Sequence, residues 1–153
     1  MRKEFADKLY KLMKKDKDII LLTADLGYGL FDRIRDNIPG QYYNAGVAES
    51  SMMDIAIGLS LSGKRPVIYS ITPFLIYRTM ESIRNYINRE NIFVVMVGSG
   101  RGQDYRTEGF SHEANDHKIL RQFDNIKFCV PEGNIDLEKI IYSNRPTYLN
   151  LRR

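Results

Sequence analysis

In the opening segment MRKEFADKLYKLMKKDKD the apolar residues Phe5, Leu9, Leu12 and Met13 recur at helical spacing among lysines and acids, which predicts an amphipathic helix. No continuous apolar stretch accompanies its basic residues, so it does not read as a targeting peptide. Further along, short runs rich in β-branched and aromatic residues read as strands: IILLT from Ile19, RPVIYSI from Arg65, NIFVVMVG from Asn91, IKFCV from Ile126 and PTYLNL from Pro146. Between them helical patterns are predicted over roughly 48–62, 74–89, 115–122 and 135–143. Strands alternating with helices imply parallel crossover units, and runs without polar alternation imply burial on both faces. The expected fold is therefore α/β: a single doubly wound, mainly parallel sheet with helices on both faces.

A chain of 153 residues suits one core and is short for two, so one domain over 1–153 is expected. With 43% hydrophobic and 27% charged residues the balance is that of a globular protein, and no apolar run reaches the length of a bilayer span. The single cysteine, Cys129, lies in a strand-like run, excludes an internal disulfide and fits the reducing cytoplasm as a buried structural thiol. The net charge of +4 is scattered, clustering only at Lys14 to Lys17 and at the Arg152, Arg153 end. No basic stripe interleaved with aromatics is present, so neither nucleic acid nor membrane is expected as a partner; a phosphorylated small ligand is compatible with the charge.

In parallel sheets ligands bind beyond the carboxyl ends of the strands. That rule selects ADLGYG at 24–29, NAGVAE at 44–49, SITPF at 70–74 and the glycine-rich loop GSGRGQDYRTEGFSH at 98–112. Glu49 stands out, a carboxylate at the mouth of a small-residue apolar helix. An acid in a first helical turn is ordinarily explained by the helix dipole. Here Gly46, Ala48, Ala56 and Gly58 also leave room for a backbone or flat ligand to approach. The loop at 98–112 matches neither a Walker phosphate loop nor a dinucleotide fingerprint. His112 and His117 flank Glu113 and Asp116, but HExxH zinc spacing would need a histidine where Asp116 stands, so no metal site is expected. Phe74 and Tyr77, aromatics at a helix start, are ordinarily core; their place after a strand raises a ligand-stacking role.

In this order the pieces resemble the pyrimidine-binding domain of the transketolase family of thiamine diphosphate enzymes. The resemblance is carried by Ala24-Asp25-Leu26-Gly27, by Gly46-Val47-Ala48-Glu49, by Gly58-Leu59 with Gly63 and Pro66, and by Phe74 with Arg78 and Ile83-Arg84. Glu108-Gly109-Phe110-Ser111-His112, Asn125 and Pro131 complete it, so it covers nearly the whole chain. It implies that Glu49 hydrogen-bonds the aminopyrimidine ring nitrogen, favouring the imino tautomer through which the cofactor's carbon nucleophile is generated. Phe74 is implied to stack on that ring, with Leu75 the alternative by register and Tyr77 the fallback; Asp25 and Leu26 lie near the cofactor rings. His112 matches the residue that contacts sugar hydroxyls, which makes Glu49 and His112 the implied catalytic pair. Glu108 occupies the place of an acid that reads a substrate hydroxyl, though related loops carry an apolar residue there. Arg101 and Arg106 are candidates for a substrate phosphate by loop position alone.

The family's Gly-Asp-Gly to Asn segment, which holds the diphosphate and a divalent cation such as Mg2+, is not found in this sequence, nor is the family's third domain. The implied protein is one half of a split enzyme: a pyrimidine-binding subunit that meets a separately encoded diphosphate-binding subunit, as an α2β2 heterotetramer, and moves a two-carbon ketol unit between sugars or sugar phosphates. The rival with the same cofactor is decarboxylation of a 2-oxo acid followed by carboligation, as in deoxyxylulose phosphate synthase. A non-catalytic binding or regulatory module is the rival of another class.

Overall fold

The computed structural model describes residues 1–113 and 117–153, with His117 by its backbone alone. The opening helix α1 (Arg2–Lys15) buries Phe5, Leu9, Leu12 and Met13 as their spacing requires, with Glu4 in its first turn and Lys14 and Lys15 in its last complementing the helix dipole. It leads into β1 (Ile19–Thr23), the short helix α2 (Asp32–Asn37), β2 (Tyr42–Asn44), α3 (Glu49–Leu61) and β3 (Arg65–Ile71). Then come α4 (Thr72–Tyr77), α5 (Met80–Ser82) with a π-helical continuation over Ile83–Arg89, β4 (Val95–Ser99), α6 (His117–Leu120), β5 (Lys127–Cys129), α7 (Leu137–Ile141) and β6 (Thr147–Leu151). The helix expected over 115–122 is thus seen as α6; Asn115 and Asp116, and with Asp116 the weighed metal arrangement, lie outside the described residues.

The strands form one sheet in the order β2-β1-β3-β4-β6-β5, and every pairing is parallel. Alternate residues of each central strand enter opposite cores. Ile19, Leu21, Val67, Tyr69, Val95, Val97, Leu149 and Leu151 pack with α1, α2 and α7. Ile20, Leu22, Ile68, Met96 and Tyr148 pack with α3, α4 and the helical stretch that holds Ile83 and Ile87. Burial on both faces is why these strands read as unbroken apolar runs.

Two elements escape the hydrophobic pattern. β2 is YYN, half-buried to exposed, and exists because its backbone pairs with β1 from Leu21↔Tyr42 to Thr23↔Asn44. Helix α2 buries only Ile34 among its own residues, too little for a periodic signal. The helix expected over 74–89 is broken after Tyr77, where the Thr79 hydroxyl donates to the Leu75 carbonyl at 2.5 Å. Such back-bonding competes with the helical ladder and bends helices. The Arg78 carbonyl, lost to the ladder, accepts instead from Ser50 Oγ of α3 at 2.7 Å.

The strand order reverses between β1 and β3. After β1 the chain turns to the α1 face, where Phe31 and Ile34 pack; after β3 it turns to the other face, where Leu75 and Ile76 pack. Connections that part to opposite faces open a crevice at the carboxyl ends of those strands, the place where such sheets bind ligands.

Candidate functional site

Glu49, the first residue of α3, is only 2% exposed although it is charged. Its carboxylate faces two donors from different elements. Ser70 Oγ, near the end of β3 and fully buried, donates to Oε1 at 3.2 Å. Arg78 Nη1, just past α4, donates to Oε2 at 2.7 Å. A buried carboxylate requires such partners, and both come from beyond the switch point, on the β3 side.

Arg78 also meets an aromatic face, its guanidinium carbon lying 4.1 Å from the centroid of the Phe74 ring. The same ring contacts His112 edge-on, with centroids 4.8 Å apart and planes at 67°. Phe74 is half-buried at the site, whereas Leu75 is fully buried in the core and offers nothing to the crevice. Tyr77 is 51% exposed and takes part in no aromatic contact among the described residues. Glu49, Arg78, Phe74 and His112 therefore form one continuous cluster.

On the β1 side, Asn44 ends β2 and ties two loops together. Its Oδ1 accepts from the backbone N-H groups of Asp25 at 2.9 Å and Gly46 at 3.0 Å, while its Nδ2 donates to Asp25 Oδ1 at 3.2 Å. Asp25 holds a left-handed backbone with φ of 51°, which these bonds sustain. The Tyr28 hydroxyl donates to Asp25 Oδ1 at 2.5 Å. That bond, with a smaller part from Asn44, holds the Asp25 carboxyl below its ordinary range, and the same contact pushes the Tyr28 hydroxyl up. Leu26 is half-buried against the α1 core and lines a cavity of about 420 Å³ with Arg2, Tyr28, Tyr69 and Tyr105. At Gly27, with φ of 91°, a Cβ would lie 2.6 Å from the Phe31 ring, so the turn after β1 closes on an aromatic where only glycine fits.

The loop after β4 divides its charged residues. Arg101 is spent on the scaffold: Nη2 donates to the carbonyls of Pro131 at 2.6 Å and Asn150 at 2.7 Å, and Nη1 pairs with Glu132 at 3.0 Å. Those bonds pin the loop to the ends of β5 and β6, a task other than the phosphate contact expected of Arg101. Arg106 begins a turn of 3-10 helix and is exposed. Glu108 is also exposed and pairs with Arg153 Nη1 at 3.3 Å. His112 ends the next 3-10 turn, with Nδ1 3.1 Å from Ser111 Oγ.

Three contributors were not legible as site residues. Ser70 opens the selected segment SITPF and is a polar residue inside the apolar run RPVIYSI, but neither feature gave it a role. Asn44 carried no signal beyond its neighbourhood. Arg78 matched the family pattern without a role, because the contact with Glu49 spans 29 residues of chain. A separate groove of about 380 Å³ between α1 and α7, lined by Lys8, Lys11 and Lys15, involves none of these residues.

An all-parallel doubly wound sheet with a buried carboxylate and an aromatic face at its switch point defines a ligand-binding α/β domain. The pattern of the family described as "Transketolase, pyrimidine binding domain" matches residues 1–148, and the chain belongs to that family. It is 30% identical, over its whole length and 50% of the relative's, to a putative transketolase C-terminal section of Methanocaldococcus jannaschii. It is 29% identical to one subunit of the apulose-4-phosphate transketolase of Phocaeicola vulgatus, over 85% of this chain and 42% of that one. The chain thus spans about half the length, or less, of these curated relatives. Among solved structures, a split gene transketolase described as an inactive beta4 tetramer superposes with a TM-score of 0.82 at 28% identity, covering 99% of this chain and 50% of the other. The transketolase of Leishmania mexicana shares the fold, with a TM-score of 0.86 at 21% identity over 99% of this chain and 25% of that one. None of the described helices is long and apolar enough to cross a membrane.

Proposed function

We propose that this chain is the pyrimidine-binding half of a split, thiamine diphosphate-dependent transketolase that transfers a two-carbon ketol unit between sugars or sugar phosphates. The observation that carries the reading is the buried Glu49 carboxylate beside the Phe74 face. Support for an aminopyrimidine at this place comes from what the two residues hold. The guanidinium of Arg78 is a planar, nitrogen-bearing group that lies on Phe74 while donating to Glu49 Oε2. An aminopyrimidine ring would use the same two residues, its face on Phe74 and its ring nitrogen on Glu49 through one shared proton.

Bound thiamine diphosphate would supply a carbon nucleophile able to break and form carbon-carbon bonds beside a carbonyl. The chain's residues bind and orient around it. Glu49 would share a proton with the ring nitrogen, in a setting where low polarity strengthens that hydrogen bond. Ser70 keeps the carboxylate turned to the site. Phe74 takes the ring face, with Asp25 and Leu26 bordering the crevice and exposed Tyr77 at its margin. His112, held against Phe74, reaches the sugar hydroxyls. Glu108 and Arg106, exposed on the same loop, meet the substrate's hydroxyl and phosphate; Arg101 ties that loop to the ends of β5 and β6.

The diphosphate and its divalent cation, Mg2+ or a similar ion, are assigned to a separately encoded partner subunit in an α2β2 heterotetramer. Support comes from two similar proteins: the Phocaeicola vulgatus relative is by name one subunit of a transketolase, and a structural neighbour is a "split gene" transketolase. The single thiol Cys129, free of any disulfide, suits a cytoplasmic setting.

The test mixes the chain with its diphosphate-binding partner, thiamine diphosphate and Mg2+, and supplies a ketose phosphate or pyruvate. The ketose is expected to be consumed only by the complete mixture, and Glu49→Gln is expected to abolish turnover while leaving the circular dichroism spectrum intact. Consumption of pyruvate instead, or wild-type turnover by Glu49→Gln, overturns the reading.

A further inference from the structure

Glu49 Oε2 and the Phe74 face are both covered by one side chain. Arg78 Nη1 sits 2.7 Å from Glu49 Oε2 and its guanidinium carbon lies over the Phe74 ring, 4.1 Å from the centroid. Glu49's other oxygen is turned inward to the fully buried Ser70 hydroxyl, so Oε2 is the oxygen left for a ligand. The Arg78 side chain itself is 42% exposed, so it has open solvent to move into. Its backbone does not need to follow: the carbonyl is anchored by Ser50 Oγ, and the helix break at Thr79 sets its direction.

We propose that Arg78 is a placeholder for the aminopyrimidine: it caps Glu49 and Phe74 in the chain by itself and must swing out before the ring can bind. The inference rests on the cofactor reading above and adds to it a competitor built into the same site. While Arg78 is in place, the Glu49 carboxylate keeps a cationic partner and Phe74 keeps its face covered, which protects a buried charge from standing alone. On exchange, the ring takes the Phe74 face, its nitrogen pairs with Glu49 through one proton taken up from solvent, and Arg78 moves toward solvent. Two planar groups cannot cover one aromatic face together, so binding of the ring on the face that Arg78 holds and closure of Arg78 exclude each other.

The test uses the full chain without a partner and the probe 4-amino-5-hydroxymethyl-2-methylpyrimidine, the pyrimidine half of the cofactor. Its binding is followed by calorimetry and by the Nε-H resonance of Arg78 in arginine-labelled protein, assigned by its loss in Arg78→Lys. The wild type is expected to bind weakly, with the Arg78 resonance moving to the position of a solvated arginine as the probe saturates. Arg78→Ala is expected to bind the probe about ten-fold more tightly, the size of one lost competing ion pair. Arg78→Lys is expected to fall between, since lysine keeps the charge and loses the planar stack. Because Arg78→Ala strips a buried carboxylate of its cation, its folding is checked by thermal melting, and Arg78→Lys carries the comparison if the alanine variant does not fold. If the wild type binds the probe but the variants bind it equally or less tightly, or if the Arg78 resonance stays put at saturation, the placeholder is overturned while the cofactor reading stands. If none of the three binds, or Glu49→Gln binds as well as wild type, the cofactor reading itself fails and takes the placeholder with it.

Discussion

Glu49 and Arg78 meet at 2.7 Å, with the carboxylate 2% exposed and the guanidinium side chain 42% exposed. The pair is asymmetric: one member is buried at a helix start, and the other spans from the core to solvent over the ring of Phe74. A buried charge commits the surrounding residues to satisfy it, and Ser70 shares that task.

Ser70→Ala removes the donor to Glu49 Oε1 and leaves a buried oxygen with one bond fewer. A loss of about 1–3 kcal/mol is expected in urea denaturation, with an unchanged m-value. An unaltered midpoint would show that Glu49 does not depend on Ser70.

The Asp25 carboxyl titrates below its ordinary range because the Tyr28 hydroxyl, and then Asn44, bond to its charged form. The fold therefore binds this proton more weakly than the unfolded chain does. The resulting stabilisation is present above the ordinary aspartate value of 3.8 and is lost as pH falls through the lower folded value. Asp25→Asn is expected to flatten the acid limb of a plot of melting temperature against pH; an acid limb identical to wild type contradicts this.

Arg101 is tied into the scaffold, whereas Arg106 is exposed. Arg101→Ala gives up bonds to two carbonyls and to Glu132, and is expected to cost about 2–3 kcal/mol in denaturation, because its bonds are charge-assisted. Exposed Arg106→Ala should alter stability by no more than about 0.5 kcal/mol. Its effect should fall on KM for a phosphorylated sugar, with little change for the unphosphorylated one. The reverse pattern would return the phosphate contact to Arg101.

Gly98 in β4 has no room for a side chain: a Cβ there would lie 2.4 Å from the Tyr148 hydroxyl and 2.6 Å from Thr72 Oγ1. Those atoms belong to a buried polar network in which Thr72 Oγ1 donates to the Gly100 carbonyl at 2.7 Å and Asn150 Nδ2 donates to Thr72 Oγ1 at 3.1 Å and to the Gly100 carbonyl at 3.1 Å. Gly98→Ala is expected to cost about 1–3 kcal/mol by overpacking, read from the denaturation midpoint. A stable, unperturbed variant would mean that the network yields freely.

Much of the fold was legible because burial writes itself into periodicity. IILLT and the buried core of RPVIYSI announce strands covered on both faces, and Phe5, Leu9, Leu12 and Met13 announce a helix with one buried face. β2 was not legible, since YYN is half-exposed and is a strand only by virtue of pairing with β1. The break after Tyr77 was hidden for a similar reason. Thr79 is an ordinary residue by propensity, and only its hydroxyl's bond to the Leu75 carbonyl turns it into an interruption. The different surroundings of Phe74 and Leu75 were not legible either: Leu75 is fully buried in the core while Phe74 meets His112 and Arg78.

The class of fold, the family and the segments that gather at the carboxyl ends of the strands are all written in the order of residues. Local patterns of burial and turn residues suffice for these, since each is stated within a few neighbouring positions. The pairing of side chains across those segments belongs to the folded molecule alone: Glu49 with Ser70 and Arg78, Asn44 with Asp25, and Arg101 with the ends of β5 and β6 instead of an open loop. A hydrogen bond or ion pair depends on distances of about 3 Å, and residues far apart in the chain reach such distances only after the sheet has brought the strand ends together.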